Sequence, residues 1–243
     1  MMQIEGMGNL MDADERASYQ KEVELLRDLQ HPNIIQFLEW IESEDGEYLF
    51  IVMEIAQIGD LAKLIKKARS RGKPLVERTI WKLFFQITAG LKHMHAQRIM
   101  HRDLKPANVF VSSGGRVKLG DLGLGRKFSS KTRATESLVG TPYYMAPERI
   151  NESPYDFSSD IWSLGCLLYE MAALRNPFYG ENMNLYTLCE KIDACDYSPL
   201  PDSYSDTLND LVSSIIVADP SSRPDIQEVY AIAKSMVQSF ISE

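Results

Sequence analysis

The sequence predicts an α+β chain, a small antiparallel β part leading into a larger, mainly helical part. Three observations carry that expectation. β-Branched and aromatic residues cluster over 37–41 and 48–55, on either side of the turn pair Asp45-Gly46. From Leu61 onward, apolar residues recur at three- and four-residue spacing. With 243 residues, 44% hydrophobic and 25% charged content, the chain has the make-up of a folded protein, long enough for one large domain or two lobes.

Taken in order, Asp12 with Glu15 three residues on reads as a helix cap and its reciprocal partner, and His31-Pro32 ends the pattern, so a helix is predicted over 12–29. At ~100° per residue Tyr19, Val23, Leu26 and Leu29 share one stripe, with Glu22 inside it. A carboxylate there either takes a buried cationic partner or lies at the stripe's edge and reaches water. The two strands of the hairpin follow. Helices are then predicted over 61–68 and 77–95, the second largely buried through Ile80, Phe84, Ile87, Leu91 and Met94. Between them, Lys66, Lys67, Arg69, Arg71 and Lys73 read as a solvated helix end, with a docking patch for acidic groups as the alternative. Val109-Phe110-Val111 and Val117-Lys118-Leu119 make a second small hairpin. The stretch 159–173 is apolar on nearly all faces, as a core helix is. Further helices are expected over 185–194, 205–217 and 226–240, punctuated by Pro177, Pro199, Pro201, Pro220 and Pro224.

Composition removes several function classes. A net charge of -8 and a pI near 5.1 disfavour a nucleic-acid surface, which needs clustered cations against phosphate. Cys166, Cys189 and Cys195 are odd in number and lack metal-ligand spacing, so they read as small buried hydrophobes rather than a disulfide framework. The longest apolar stretch, 48–56, is broken by Glu54 and falls far short of the ~20 residues a bilayer span needs. The acidic start, with Glu5, Asp12, Asp14 and Glu15, is not expected to be a signal peptide.

The chemistry is concentrated in five motifs: HRDLKPAN at 101–108, DLG at 121–123, GTPYYMAPE at 140–148, DIWSLG at 160–165, and Arg223 before Pro224. Phosphoryl transfer asks for an acceptor for a hydroxyl proton, cations on the phosphates and oxygen ligands for magnesium. HRDLKPAN followed by DLG holds that set in one loop region. The plain alternative for any one of these side chains is loop capping.

These motifs, with MHRDLKPANVF, KLGDLGLGR, SLVGTPYYMAPERI and SDIWSLGCLLYEMAAL in full, resemble the eukaryotic serine/threonine protein kinases, and among them the NIMA-related (Nek) family and its short, catalytic-domain-only members. The resemblance runs from about Glu22 to the end. It implies a bilobal kinase fold, 1–56 as a partial N-lobe and 57–243 as the helical C-lobe, using ATP and Mg2+ on serine or threonine hydroxyls of protein substrates. Position by position it implies that Asp103 orients the acceptor hydroxyl and takes its proton, while Lys105 neutralises the transferring phosphoryl group. Asn108 and Asp121 would ligate magnesium. Glu54 and Ala56 would form the hinge that bonds the adenine, with Phe110 beneath the base. Arg102 would bind a phosphate on the activation segment, for which Ser137 is the candidate, the alternative being an unmodified surface serine. Thr141 would bridge Asp103 and Lys105, Glu148 and Arg223 would form a buried ion pair, and Asp160 would brace the HRD backbone.

One departure qualifies this. Kinases of this type carry a glycine-rich loop and a strand lysine ahead of the helix glutamate, here Glu22. Gly6 and Gly8 are only a Gly-x-Gly pair with no strand expected before them, and the first lysine is Lys21. The expectation is therefore an N-terminally truncated N-lobe. Three alternatives stay open: an ordinary kinase read from a shortened start, a catalytically impaired pseudokinase or isoform that binds partners, and an active kinase recruiting another lysine such as Lys21. The resemblance further implies an upstream Nek-family activator, a cell-division or microtubule role, a cytoplasmic location reaching centrosome, spindle or nucleus, and neither nucleic-acid nor membrane partners.

Overall fold

The computed structural model describes residues 2–4, 27–44, 49–55, 59–112, 114–120, 142–181 and 183–242. The expected helix over 12–29 lies outside the described residues except at its end, where Leu29 is buried. Strands β2 (Phe37–Glu42) and β3 (Leu49–Met53) pair antiparallel as the hairpin pattern predicts, with Trp40 opposite Ile51 and a register shift between Phe37 and Glu39. A third strand corrects the expectation that none precedes Gly6. β1 (Met2–Ile4) pairs antiparallel with the other edge of β3, Met2 opposite Ile51 and Ile4 opposite Leu49, giving the order β1-β3-β2. Three residues are too few to show an alternating pattern, and the strand is defined by the edge it pairs with.

The helical part follows. Asp60 caps α1 (Leu61–Ser70) by accepting from Lys63 N at 2.7 Å. α2 (Glu77–Ala96) buries Ile80, Trp81, Phe84, Ile87, Leu91 and Met94, the stripe the sequence predicts with Trp81 added. Glu77 at its start accepts from Trp81 Nε1 at 2.9 Å, Ser205 N at 2.8 Å and Ser205 Oγ at 2.5 Å, tying this helix to the cap of a later one. β4 (Val109–Val111) and β5 (Val117–Leu119) form the second hairpin. The 33–35 segment is stitched to β5 by Leu119 N to Asn33 O at 2.8 Å and Ile35 N to Leu119 O at 2.7 Å. This fixes how the three-stranded sheet approaches the helical core.

α3 (Pro147–Ile150) is a single turn that periodicity could not show, as are the 3-10 turns Pro106–Asn108 and Pro220–Ser222. α4 (Phe157–Ala173) is the core helix, buried on nearly every face, with Trp162 stacked on Phe178 at 5.6 Å and 2°. α5 (Leu185–Asp193), α6 (Asp206–Ile215) and α7 (Ile226–Ser242) complete the chain, and α7 lies along α2 with Tyr230 stacked on Phe85 at 5.4 Å. Cys166 is buried, Cys189 and Cys195 half-buried, and all three are free thiols. Among the described residues no helix is long and apolar enough to cross a membrane.

Candidate active site

The 101–108 loop runs between the end of α2 and β4, pinned by the buried side chains of His101 and Leu104. Its backbone is held from below by Asp160 in the first turn of α4. One carboxylate oxygen accepts from His101 N at 2.8 Å and lies 2.9 Å from His95 Nε2, and the other accepts from Arg102 N at 2.9 Å. Burial disfavours the charge of Asp160, but the His95 hydrogen bond, the neighbouring histidines and the His101 N–H outweigh it and hold its carboxyl below the usual range. Arg102 stands at φ 66°, a left-handed conformation that side chains disfavour, and its carbonyl accepts from Arg149 Nη1 at 2.8 Å.

On this frame three side chains converge. Lys105 Nζ donates to Asp103 Oδ2 at 2.7 Å. Asn108 Nδ2 donates to Asp103 O at 2.8 Å and to Asp103 Oδ2 at 3.1 Å. The Asp103 side chain is only 14% exposed and that of Lys105 34%, so one carboxylate and one ammonium meet at the rim rather than in bulk water. Using Nδ2 inward leaves the Asn108 amide with its oxygen, a hard ligand of the kind a divalent cation takes, at the opposite end. The donor set therefore fits a metal-nucleotide acceptor site: an acceptor for a proton, a cation for a phosphate, an amide oxygen for the metal.

The second half of the site lies across β4. Phe110 sits opposite Lys118 in the β4–β5 pair and bridges Asp60. Gly120 lets the Phe110 ring lie close, since a Cβ there would stand 2.5 Å from Phe110 Cε2 and 3.1 Å from Ile35 Cγ1. Glu54, just past β3, gives its N–H to Gln36 O at 2.9 Å, and its carboxylate accepts from Gln36 N at 3.1 Å and from Lys118 Nζ at 2.9 and 3.0 Å. Glu22, Ala56, Asp121, Ser137 and Thr141 lie outside the described residues.

Glu148 and Arg223 meet as an ion pair, side chains 6% and 0% exposed, through two parallel hydrogen bonds of 2.9 Å. Ser159 Oγ donates to Glu148 as well, at 2.5 Å, while Arg223 spends its remaining donors on the carbonyls of Val217, Ser158 and Ala218. Burial opposes ionisation of Glu148, and the Arg223 and Ser159 hydrogen bonds lower its carboxyl below the usual range nonetheless. The preceding loop is anchored on α4: Tyr144 OH bonds Glu170, and Ser163 Oγ donates to Tyr144 O at 2.8 Å. Burial pushes the carboxyl of Glu170 up. Sequence reasoning missed His95, Lys118, Gly120, Arg149 and Glu170. Each works through a partner far along the chain, and only the place of Gly120 just before DLG was a usable signal.

The protein kinase domain family matches residues 8–233. The chain is 40% identical over 222 residues to a probable serine/threonine-protein kinase nek2 of Dictyostelium discoideum, covering 90% of this chain and 52% of that one. Mouse serine/threonine-protein kinase Nek3 is 44% identical over 215 residues, covering 88% and 41%, and human serine/threonine-protein kinase Nek5 is 41% identical over 220 residues, covering 90% and 30%. The chain belongs to the protein kinase family. Within it, these relatives set it among the NIMA-related, or Nek, serine/threonine kinases, and the described fold is the α+β arrangement of that family. The chain spans about half, or less, of the length of these relatives. The family works with a nucleotide and a divalent metal on protein substrates.

Proposed function

We propose that this chain transfers the γ-phosphate of MgATP to serine or threonine hydroxyls of proteins. The observation that carries the reading is the meeting of Lys105 and Asn108 on Asp103, with the backbone beneath them braced by Asp160. In it, Asp103 orients the acceptor hydroxyl and accepts its proton as the new O–P bond forms and the bond from the γ-phosphorus to the departing ADP breaks. Lys105 releases part of its bond to Asp103 to balance charge on the transferring group. Asn108 and Asp121 would hold the magnesium, which would supply charge neutralisation at the nucleotide phosphates. Glu54 and Ala56 receive the adenine edge over Phe110, and Glu22 is counted with the nucleotide-binding residues.

Regulation follows from the same residues. A phosphate on Ser137 adds charge that Arg102 pairs with, and Thr141 then bridges Asp103 and Lys105. Residues 1–56 act as the smaller nucleotide-covering lobe and 57–243 as the larger one. The proposal also takes in an upstream Nek-family activator, a cell-division or microtubule role, and a cytoplasmic location reaching centrosome, spindle or nucleus.

The test is transfer of labelled γ-phosphate to a serine/threonine peptide by the purified 243-residue chain and by Asp121→Asn. Label on serine or threonine that falls at least tenfold in the variant supports the proposal. Equal signals from both would defeat it, and nucleotide binding without transfer would favour a partner-binding pseudokinase.

A further inference from the structure

Lys118 is used by neither half of the catalytic reading, yet it touches three segments that meet at the nucleotide side. Its strand position pairs it directly with Phe110, so the two side chains share one face of the β4–β5 hairpin. Its Nζ crosses to Glu54, 2.9 Å from Oε1 and 3.0 Å from Oε2, and reaches Ile34 O at 3.3 Å. Glu54 in turn is locked to Gln36 by reciprocal bonds: its N–H donates to Gln36 O at 2.9 Å, and its Oε2 accepts from Gln36 N at 3.1 Å. Strand pairing thus links Phe110 to Lys118, and the ammonium links Lys118 to Glu54.

We infer that Lys118 is a positioning residue for adenine recognition, a strut that sets the distance between the Glu54 backbone and the Phe110 ring. The inference rests on the reading of Glu54 and Phe110 as two walls of the adenine slot. A base stacked on Phe110 must meet the Glu54 backbone at hydrogen-bond distance, and such bonds weaken steeply with misalignment. The ammonium fixes that spacing because it is bonded to the Glu54 wall and belongs to the strand that carries the other wall's partner. The ion pair is half-exposed, its side chains 23% and 28% accessible, so its own worth to global stability is small. Its consequence is local and falls on binding.

The strut predicts a pattern that a surface ion pair would not produce. Adenosine, which lacks phosphates, is the probe, titrated calorimetrically into the intact chain, with the thermal midpoint of each variant measured alongside. Lys118→Met is expected to weaken adenosine by about 10-fold, on the scale of one lost charge-assisted hydrogen bond, with little change in midpoint. Glu54→Gln, which keeps an acceptor for Gln36 N but loses the pair, is expected to do the same, and the double variant to be no weaker than either single one. Lys118→Arg is expected to restore most of the affinity. If Lys118→Met fails to fold, Glu54→Gln and Lys118→Arg carry the comparison. Unchanged adenosine affinity in Lys118→Met or Glu54→Gln, or additive losses in the double variant, overturns the strut and leaves the adenine slot standing. No adenosine binding by the unaltered chain overturns the slot reading itself, and the strut with it.

Discussion

Asp160 accepts the backbone N–H of Arg102 at 2.9 Å, and Arg102 is held at φ 66°. A non-glycine residue in that conformation costs about 1–3 kcal/mol and persists only where its surroundings over-determine it. Here the residue is gripped on both sides, by Asp160 at its N–H and by Arg149 at its carbonyl, 2.8 Å away. Arg149→Met should let the Arg102–Asp103 peptide relax. The expected outcome is a stability loss of about 1–2 kcal/mol with turnover falling more than the KM for ATP rises, read by denaturant unfolding and steady-state kinetics.

Glu148 and the carbonyls of Val217, Ser158 and Ala218 together take all five Arg223 guanidinium donors in a dry setting, so removing Arg223 leaves the Glu148 charge unpaired. Arg223→Met should cost about 3–5 kcal/mol. Adding Glu148→Gln should return part of that loss. Urea midpoints of the single and double variants check both statements.

Gly165 lies in the middle of α4, where alanine would ordinarily gain about 1 kcal/mol in helix propensity. A Cβ at this place would collide with Ile215 Cγ2 and lie 3.0 Å from Ile215 Cβ and 3.1 Å from Ile216 Cγ1. Overpacking of about 1–3 kcal/mol therefore wins, and Gly165→Ala should lower the thermal midpoint. Combining it with Ile215→Val should recover part of the drop.

His31 stacks on His93 at 5.1 Å and accepts from Asn33 N at 3.1 Å, and burial, then His93, then Lys118 hold its pKa below the ordinary 6.5. The sign follows from linkage: as pH falls below 6.5 the unfolded chain takes up this proton before the folded one does, so stability declines until the folded pKa is passed. His31→Asn should flatten unfolding free energy between about pH 7 and pH 5, measured by urea titration at each pH. The depressed carboxyls of Asp160, Glu148 and Glu77 contribute in the same direction, with stability present above their unfolded pKa values of 3.8 and 4.5 and lost on further acidification.

What the sequence made legible follows its physics. The stripe Ile80–Phe84–Ile87–Leu91–Met94 is readable because burial imposes a period over enough residues to show, and Val109–Val111 because its β-branched and aromatic run faces a second one across a short turn. β1 and the turn Pro147–Ile150 were not, since three or four residues hold no period and the structure comes from partners elsewhere. The meeting of Asp103, Lys105 and Asn108 is legible because they share one short loop. Lys118 and Glu54 stand 64 residues apart, and His95 and Asp160 65 apart, so folding alone brings them together.

The central claim is that Asp103, with Lys105 and Asn108 upon it, is the phosphoryl-transfer centre. Its most direct test is the turnover of Asp103→Asn against the unaltered chain on a serine/threonine peptide at saturating MgATP. Turnover is expected to fall about 100-fold to 10,000-fold with the thermal midpoint and nucleotide affinity nearly unchanged. Turnover within a few-fold of the unaltered chain would contradict it.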